Sequence, residues 1–229
     1  MDTGWKIIAH IHTDFTAKFG IPRQSGLVES LKGTIVFEPE FRNPDVVRGL
    51  EEFSHIWLLW QCSKAMRGTW SATVAPPRLG GKVRKGVFAT RSPFRPNPIG
   101  LSSVVLEQIE FDETLGPVLH VSGPDLLDGT PIYDIKPYLA YTDSHPEATA
   151  GFAGDVLEYG LEVEFPEELL RKLPEHQRDT VIELLSQDPR PGTQEAVDKE
   201  YRMLFGDYDI WFHVVENRVQ VSNVIVKKG

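Results

Sequence analysis

The sequence predicts a mainly β protein, an N-terminal all-β barrel followed by a small α+β module. Three observations predict it. Short β-rich runs separated by Gly and Pro turns recur through the first 140 residues. Helix signals gather after residue 151. Between the two lies a stretch rich in Ala, Gly, Ser, Thr and Asp (142–154) that reads as a linker. The expected domains are residues 1–145 and 151–229. With 229 residues, 41% of them hydrophobic, the chain is long enough to bury a core without cross-links. Its one cysteine, Cys62, excludes an intrachain disulfide framework and an all-cysteine zinc site.

Taken in order, residues 7–11 are β-rich, and Gly33 to Phe37 forms a short strand after a turn. Residues 45–52 read as one short helix starting near Asn43 or Pro44. Phe53 to Gln61 is too apolar to face water on either side, which predicts a strand buried on both faces. Strands are expected at Val87–Thr90, Val104–Ile109, Val118–Val121 and Ile132–Ile135, at spacings typical of a sandwich or barrel. Beyond the linker, Leu161 to Phe165 alternates as a strand. Helices are expected from Pro166 to about Lys172 and from His176 to Ser186, the latter ended by Asp188-Pro189. Ile210–Val215 and Val219–Val226 flank Glu216-Asn217-Arg218, a hairpin signal.

The net charge of −9 argues against indiscriminate coating of nucleic acid, but the charge is uneven. Residues 1–150 hold 15 Lys or Arg against 17 Asp or Glu, a net of −2; residues 151–229 hold 9 against 16, a net of −7. From Phe53 to Leu106 there is no acidic residue, while Lys64, Arg67, Arg78, Lys82, Arg84, Lys85, Arg91 and Arg95 all fall there. Such a local positive field suits a defined anionic ligand, such as one region of an RNA. The only long apolar run, near residues 53–60, is far short of a membrane span. The N-terminus has neither a basic region nor an apolar one of the signal-peptide kind. A soluble cytoplasmic protein, with no membrane contact, is expected.

No G-x-G-x-x-G opens a helix after a strand, no Walker loop occurs, and no G-x-S-x-G elbow is present. His10 and His12 would share one face of a strand, for which an ordinary pair is a simpler reading than a metal site; no metal is expected. The densest constellation is Thr90 to Leu101, where Pro93, Pro96 and Pro98 fix φ and remove backbone donors. A stiff loop rich in carbonyls suits a cation, including a sulfonium, and Arg91 and Arg95 add forks for anions at its edges. A rigid barrel crossover with arginines paired elsewhere is the structural alternative. The Asp125–Tyr138 segment reads as a plain hairpin turn by itself. Lys18 to Gly26 reads as a solvated polar loop whose Arg23 and Gln24 have the chemistry to meet phosphates or base edges. Trp57 and Trp60 are expected in a core or an interface, and His55 as a buried histidine or a pocket wall.

Taken together, Lys18–Gln24, Gly49–Trp57, Gly86–Leu101 and Asp125–Tyr138 resemble the TrmO/YaeB-type tRNA methyltransferases in order and approximate spacing. The likeness spans nearly the whole chain. Ser186 to Pro191 and the aromatic run from Tyr208 to His213 resemble the accessory C-terminal part of the bacterial members. Ala9-His10 stands where a Gly-containing turn is common, and Ala140 where Pro is common; both lie outside the central motifs.

The resemblance implies a non-Rossmann barrel that binds S-adenosyl-L-methionine, a homodimer with its pocket near the subunit interface, and methylation of N6 in N6-threonylcarbamoyladenosine beside the anticodon. By matching motifs, cofactor contacts come from Pro22, Arg23 and Gln24; from His55 and Ile56; from Arg91 and Leu101; and from Asp128, Gly129, Thr130 and Pro131. Ile56 and Leu101 are expected to wall the adenine. The substrate N–H lies between a purine and a carbonyl and needs only a weak base, for which His55, Asp128 and Tyr138 are candidates. Lys82, Arg84, Lys85 and Arg95, with the C-terminal module as a further possible tRNA-binding element, are expected to hold the anticodon arm. The rival readings are a non-catalytic RNA-binding protein, a regulatory homodimer, or another small-substrate transferase using the same cofactor.

Overall fold

Alternation of inward apolar and outward polar residues builds the N-terminal half. The structure is a computed structural model that describes residues 4–63, 70–76, 83–156, 160–190 and 199–227. Six of its strands form a closed antiparallel barrel: β1 (Ala9–Thr13), β2 (Lys32–Phe37), β3 (His55–Gln61), β6 (Ile99–Asp112), β7 (Gly116–Ser122) and β8 (Thr130–Pro137). The order around the barrel is β1-β2-β7-β6-β3-β8, with β8 returning to β1. The two-residue strands β4 (Thr73–Val74) and β5 (Lys85–Gly86) form a separate hairpin.

The 14-residue β6 makes closure possible. Its first half pairs with β3, from Ile99 opposite Gln61 to Val105 opposite His55, and its second half pairs with β7. One strand thereby spans two neighbours in a steeply tilted wall. Ala9, Ile11, Ile35, Ile56, Leu58, Leu119 and Ile132 fill the interior with no exposure to solvent. Gly100 lies beneath the Trp60 indole; a Cβ there would sit 2.1 Å from Trp60 Cε2, so glycine is demanded by that close approach.

Several expectations are corrected here. Residues 87–90 form a single 3-10 turn, Val87–Ala89, because only Val87 has a buried side to occupy. Residues 45–52 are not one helix but two 3-10 turns, Pro44–Val47 and Leu50–Glu52, parted by Gly49 at φ 84°. In β3, Ile56 and Leu58 are buried, whereas His55 is exposed and Trp57 and Leu59 are half-buried. The strand is sealed on its inner face alone. The linker is not bare: α1 (Ala140–Asp143) overlaps its start, tied to the barrel wall by the Trp57 indole N–H donating to Asp143 Oδ2 at 2.8 Å, and a 3-10 helix, Gly151–Val156, overlaps its end.

The C-terminal part holds β9 (Glu162–Glu164), α2 (Glu167–Leu170), α3 (Glu175–Ser186), β10 (Tyr201–Phe205), β11 (Tyr208–Val215) and β12 (Arg218–Val226). The sheet order is β10-β11-β12-β9, and β9 runs parallel to β12. The hairpin at Glu216-Asn217 stands as expected, while β10 had no prior signal among the sequence patterns.

Val181, Leu184, Met203, Phe205, Ile210, Phe212 and Val219 form a second core. Phe15, Val28 and Leu31 of the β1–β2 connection are buried in that core, with Phe19 and Ile21 packed against it. The Lys18–Gly26 loop expected to be solvated is so only in part: Lys18, Arg23 and Gly26 are exposed, while Phe19 and Ile21 pack on this core and Pro22 is buried. Polar ties reinforce this packing. Gly206 N donates to Asp14 O at 2.7 Å, and Ser30 Oγ donates to Glu183 Oε2 at 2.7 Å. Burial pushes the Asp14 carboxyl up, opposed by the Gln177 amide and by His176. Among the described residues, no helix is long and apolar enough to cross a membrane.

Candidate active site

Three connections meet at one end of the barrel because of the strand directions. β1 ends at Thr13, β7 ends at Ser122 opposite Lys32, and β8 begins at Thr130 opposite Ile11. The β1–β2 and β7–β8 connections therefore leave side by side, and Gly26 N donates to Gly123 O at 2.9 Å. The proline segment enters β6 at the same end, where Cys62 N donates to Pro98 O at 2.8 Å.

Side chains join these connections. The Arg91 guanidinium donates to Gln24 Oε1, and the Gln24 amide nitrogen donates to the Arg23 carbonyl. Arg23 in turn donates to the main-chain carbonyls of Asp188 and Arg190, at 3.3 Å each. Behind Arg91 runs a polar chain the sequence patterns did not reveal. Trp60 Nε1 donates to Ser102 Oγ at 2.9 Å, and Ser102 Oγ donates to Asp125 Oδ1 at 2.6 Å. Ser103 N donates to Ser25 Oγ at 3.2 Å.

Burial pushes the Asp125 carboxyl up, opposed by the Ser102 hydroxyl, by main-chain N–H groups of Asp125 and Ser25, and by the charge of Arg91. Burial likewise pushes the Cys62 thiol up to about 11, opposed by Arg95 and Lys18. One signal pointed to this chain of contacts: Ser102 is a buried hydroxyl in the inward row of β6, where Val104 is apolar.

The residues anticipated from the sequence divide into two groups. Arg23, Gln24 and Arg91 lie together, and Asp128 to Pro131 occupy the same end. The Asp128 carboxylate meets His12 Nδ1 and accepts from Thr13 N, both at 3.2 Å. Gly129 sits at φ 70° and its N–H donates to Ile11 O at 2.9 Å. Thr130, Pro131 and Pro22 are buried, and Thr130 Oγ1 donates to Leu127 O at 2.6 Å. Thr130 and Pro131 begin β8 and Pro22 lies in the β1–β2 connection, while Asp128 and Gly129 are exposed.

His55 and Tyr138 form the second group, with ring centroids 6.0 Å apart. His55 stands three residues along β3 from Leu58, the partner of Ser102, which is roughly 10 Å of strand. The Ile56 side chain fills the barrel core with no exposure, on the opposite face of β3 from His55. Leu101 is 55% exposed on the outer face, opposite Leu59.

Arg84 donates to Thr73 Oγ1 at 2.8 Å and to Thr73 O at 2.6 Å, and Lys85 Nζ lies 5.4 Å from the Phe152 ring centroid. Neither contact is with a carboxylate, so both cations keep their field. Arg95 is half-buried; Lys82 lies outside the described residues. Among the described residues no group of three or more His, Cys, Asp or Glu is placed to hold a metal ion.

Comparison with known proteins sets this geometry in context. The family model described as tRNA-methyltransferase O N-terminal domain matches residues 10–144, and the TrmO C-terminal domain matches residues 158–227. The tRNA (adenine(37)-N6)-methyltransferase of Escherichia coli strain K12 is 39% identical over 222 residues, covering 93% of this chain and 94% of the relative. A Pseudomonas aeruginosa protein that carries the name of an S-adenosylmethionine-dependent methyltransferase is 42% identical over 214 residues, 90% of either chain. A crystal structure of TrmO from P. aeruginosa superposes with a TM-score of 0.79 at 35% identity, covering 99% of this chain and 98% of that one.

The raised thiol has a direct readout. With its pKa moved from 9.0 to about 11, the Cys62 thiolate fraction at pH 8 falls about 100-fold. A thiolate of higher pKa is also the stronger nucleophile, so iodoacetamide at pH 8 is expected to alkylate Cys62 about 10 to 100 times more slowly than a free cysteine, as followed by intact mass; labelling at the free rate would refute the burial argument.

Proposed function

The chain belongs to the TrmO family of tRNA methyltransferases, and on that premise we propose that it methylates N6 of adenosine 37, beside the tRNA anticodon, using S-adenosyl-L-methionine and acting on N6-threonylcarbamoyladenosine. The observation that carries the reading is the arginine-lined barrel end, where Arg91 is aimed by Gln24 within a stretch of chain devoid of acidic residues. S-adenosyl-L-methionine supplies an electrophilic methyl group on a sulfonium.

The chain's own residues supply positioning, the main contribution open to an enzyme for such a displacement. Arg91, with Arg23 beside it, offers a charge-assisted fork for a carboxylate. The exposed Asp128–Gly129 turn offers polar groups to a base edge, and Leu101 an apolar wall. The substrate N–H, between a purine and a carbonyl, needs only a weak acceptor. Of His55, Asp128 and Tyr138, Asp128 is the one that shares the barrel end with Arg91.

His55 of β3 and Tyr138, just past the end of β8, lie on the wall that β3 shares with β6 and β8, where Leu101 is exposed and Trp57 and Leu59 are half-buried. We propose that a second copy packs against this wall, bringing His55 of one protomer beside Arg91 of the other. The cations Lys82, Arg84, Lys85 and Arg95 hold the anticodon arm by its phosphates. The proposed setting is the cytoplasm.

Deleting the gene is expected to abolish the N6-methylated nucleoside in the tRNA pool by mass spectrometry. Restoring it with Arg91→Ala is expected to leave at least about tenfold less product, about 1.4 kcal/mol of transition-state stabilisation. An unchanged nucleoside profile in the deletion strain refutes the assignment, and calorimetry that finds no uptake of S-adenosyl-L-methionine favours a non-catalytic RNA-binding protein. If the site is shared between protomers, mixing inactive His55→Ala and Arg91→Ala chains restores about a quarter of wild-type activity; a mixture as inactive as its parts places each site within one chain. The triple change of Lys82, Arg84 and Lys85 to Ala is expected to flatten the salt dependence of tRNA binding by about 2 in log–log slope; an unaltered slope removes these residues from the interface.

A further inference from the structure

We propose that the turn Asp188-Pro189-Arg190, at the end of α3, is a positioning element for the methyl-donor site that acts by holding Arg23. The inference rests on the reading of Arg23 as part of that site. Its starting point is a conformation. Asp188 follows the helix at φ 51°, a left-handed position where helices usually place glycine. A residue with a side chain is disfavoured there. The Asp188 side chain has a use that glycine could not serve: its carboxylate accepts from Arg190 Nε at 2.7 Å and from the second guanidinium nitrogen at 2.9 Å. The pair is 11% and 16% exposed, so this two-pronged contact is shielded from competing water.

The pair closes the turn upon itself and directs two carbonyls toward the barrel. Those of Asp188 and Arg190 both accept from the same nitrogen of Arg23, at 3.3 Å each. Two carbonyls on one nitrogen fix the direction of the guanidinium. The relay continues from the Arg23 carbonyl to Gln24, and from Gln24 to Arg91. An arginine ordered before its ligand arrives loses less conformational freedom on binding. The C-terminal module thereby reaches the barrel end through main-chain geometry, although its own net charge is −7.

The test compares full-length Asp188→Gly, Asp188→Asn, Arg23→Ala and the double variant Asp188→Gly/Arg23→Ala, by calorimetry with S-adenosyl-L-methionine, steady-state kinetics and melting temperature. Glycine suits the left-handed position, so Asp188→Gly removes the carboxylate without adding backbone strain. The expected result is a rise of about five- to tenfold in Kd and KM for S-adenosyl-L-methionine, with kcat and tRNA affinity within about twofold. Asp188→Asn, which keeps part of the hydrogen bonding, recovers part of the loss, and the double variant is no worse than Arg23→Ala alone. Wild-type Kd in Asp188→Gly beside weakened binding in Arg23→Ala overturns the proposal, as does multiplication of the two effects in the double variant. Should Asp188→Gly fail to fold, Asp188→Asn carries the same comparison, and a Kd equal to wild type then overturns the proposal. If the wild-type chain itself takes up no S-adenosyl-L-methionine, the functional reading fails. The positioning claim is then decided by amide exchange in residues 20–27, which must quicken alike in Asp188→Gly and Arg23→Ala and which, if unchanged, refutes it.

Discussion

The connection between β1 and β2 has to satisfy two cores at once, and the rest of the molecule is arranged around that constraint. Phe15, Val28 and Leu31 are buried among residues of α3, β10 and β11, while Gly26 and Leu31 exchange main-chain hydrogen bonds with Gly123 at the barrel end. Removing apolar surface from water holds one side of the connection. The other side is left to present Arg23, Gln24 and Ser25. A loop anchored in this way can carry a site with the rigidity of a strand.

Electrostatics then decides what that end can attract. The acid-free stretch from Phe53 to Leu106 contributes Arg91 and Arg95. Asp125 enters from the β7–β8 connection to meet Ser102, in an environment that disfavours its charge and is eased by Arg91. The partners of Arg84, Lys85 and Gln24-bound Arg91 are hydroxyl, carbonyl, ring and amide groups, so the field is oriented more than it is quenched.

The barrel wall shows how strand period governs function. A one-residue step along β3 separates His55, exposed and beside Tyr138, from Ile56, sealed in the core. Both stood in one motif, yet only the His55 side chain faces solvent. The same alternation along β6 turns Leu101 outward and Ser102 inward to Asp125.

Much was legible in the linear order of residues. The mainly β character, most barrel strands, α3, the C-terminal hairpin and the clustering of Arg91 with the prolines all follow from local period, turn chemistry and charge, which the chain carries wherever it goes. The partnership of Trp60, Ser102 and Asp125, the burial of the β1–β2 connection, the existence of β10 and the grip of the Asp188 turn on Arg23 were decided by tertiary structure alone. Each depends on residues far apart in the chain, as Arg23 and Asp188 are, and on which face of an element meets a neighbour. Neither property is written in local pattern; both arise when desolvation forces distant segments to share one interior.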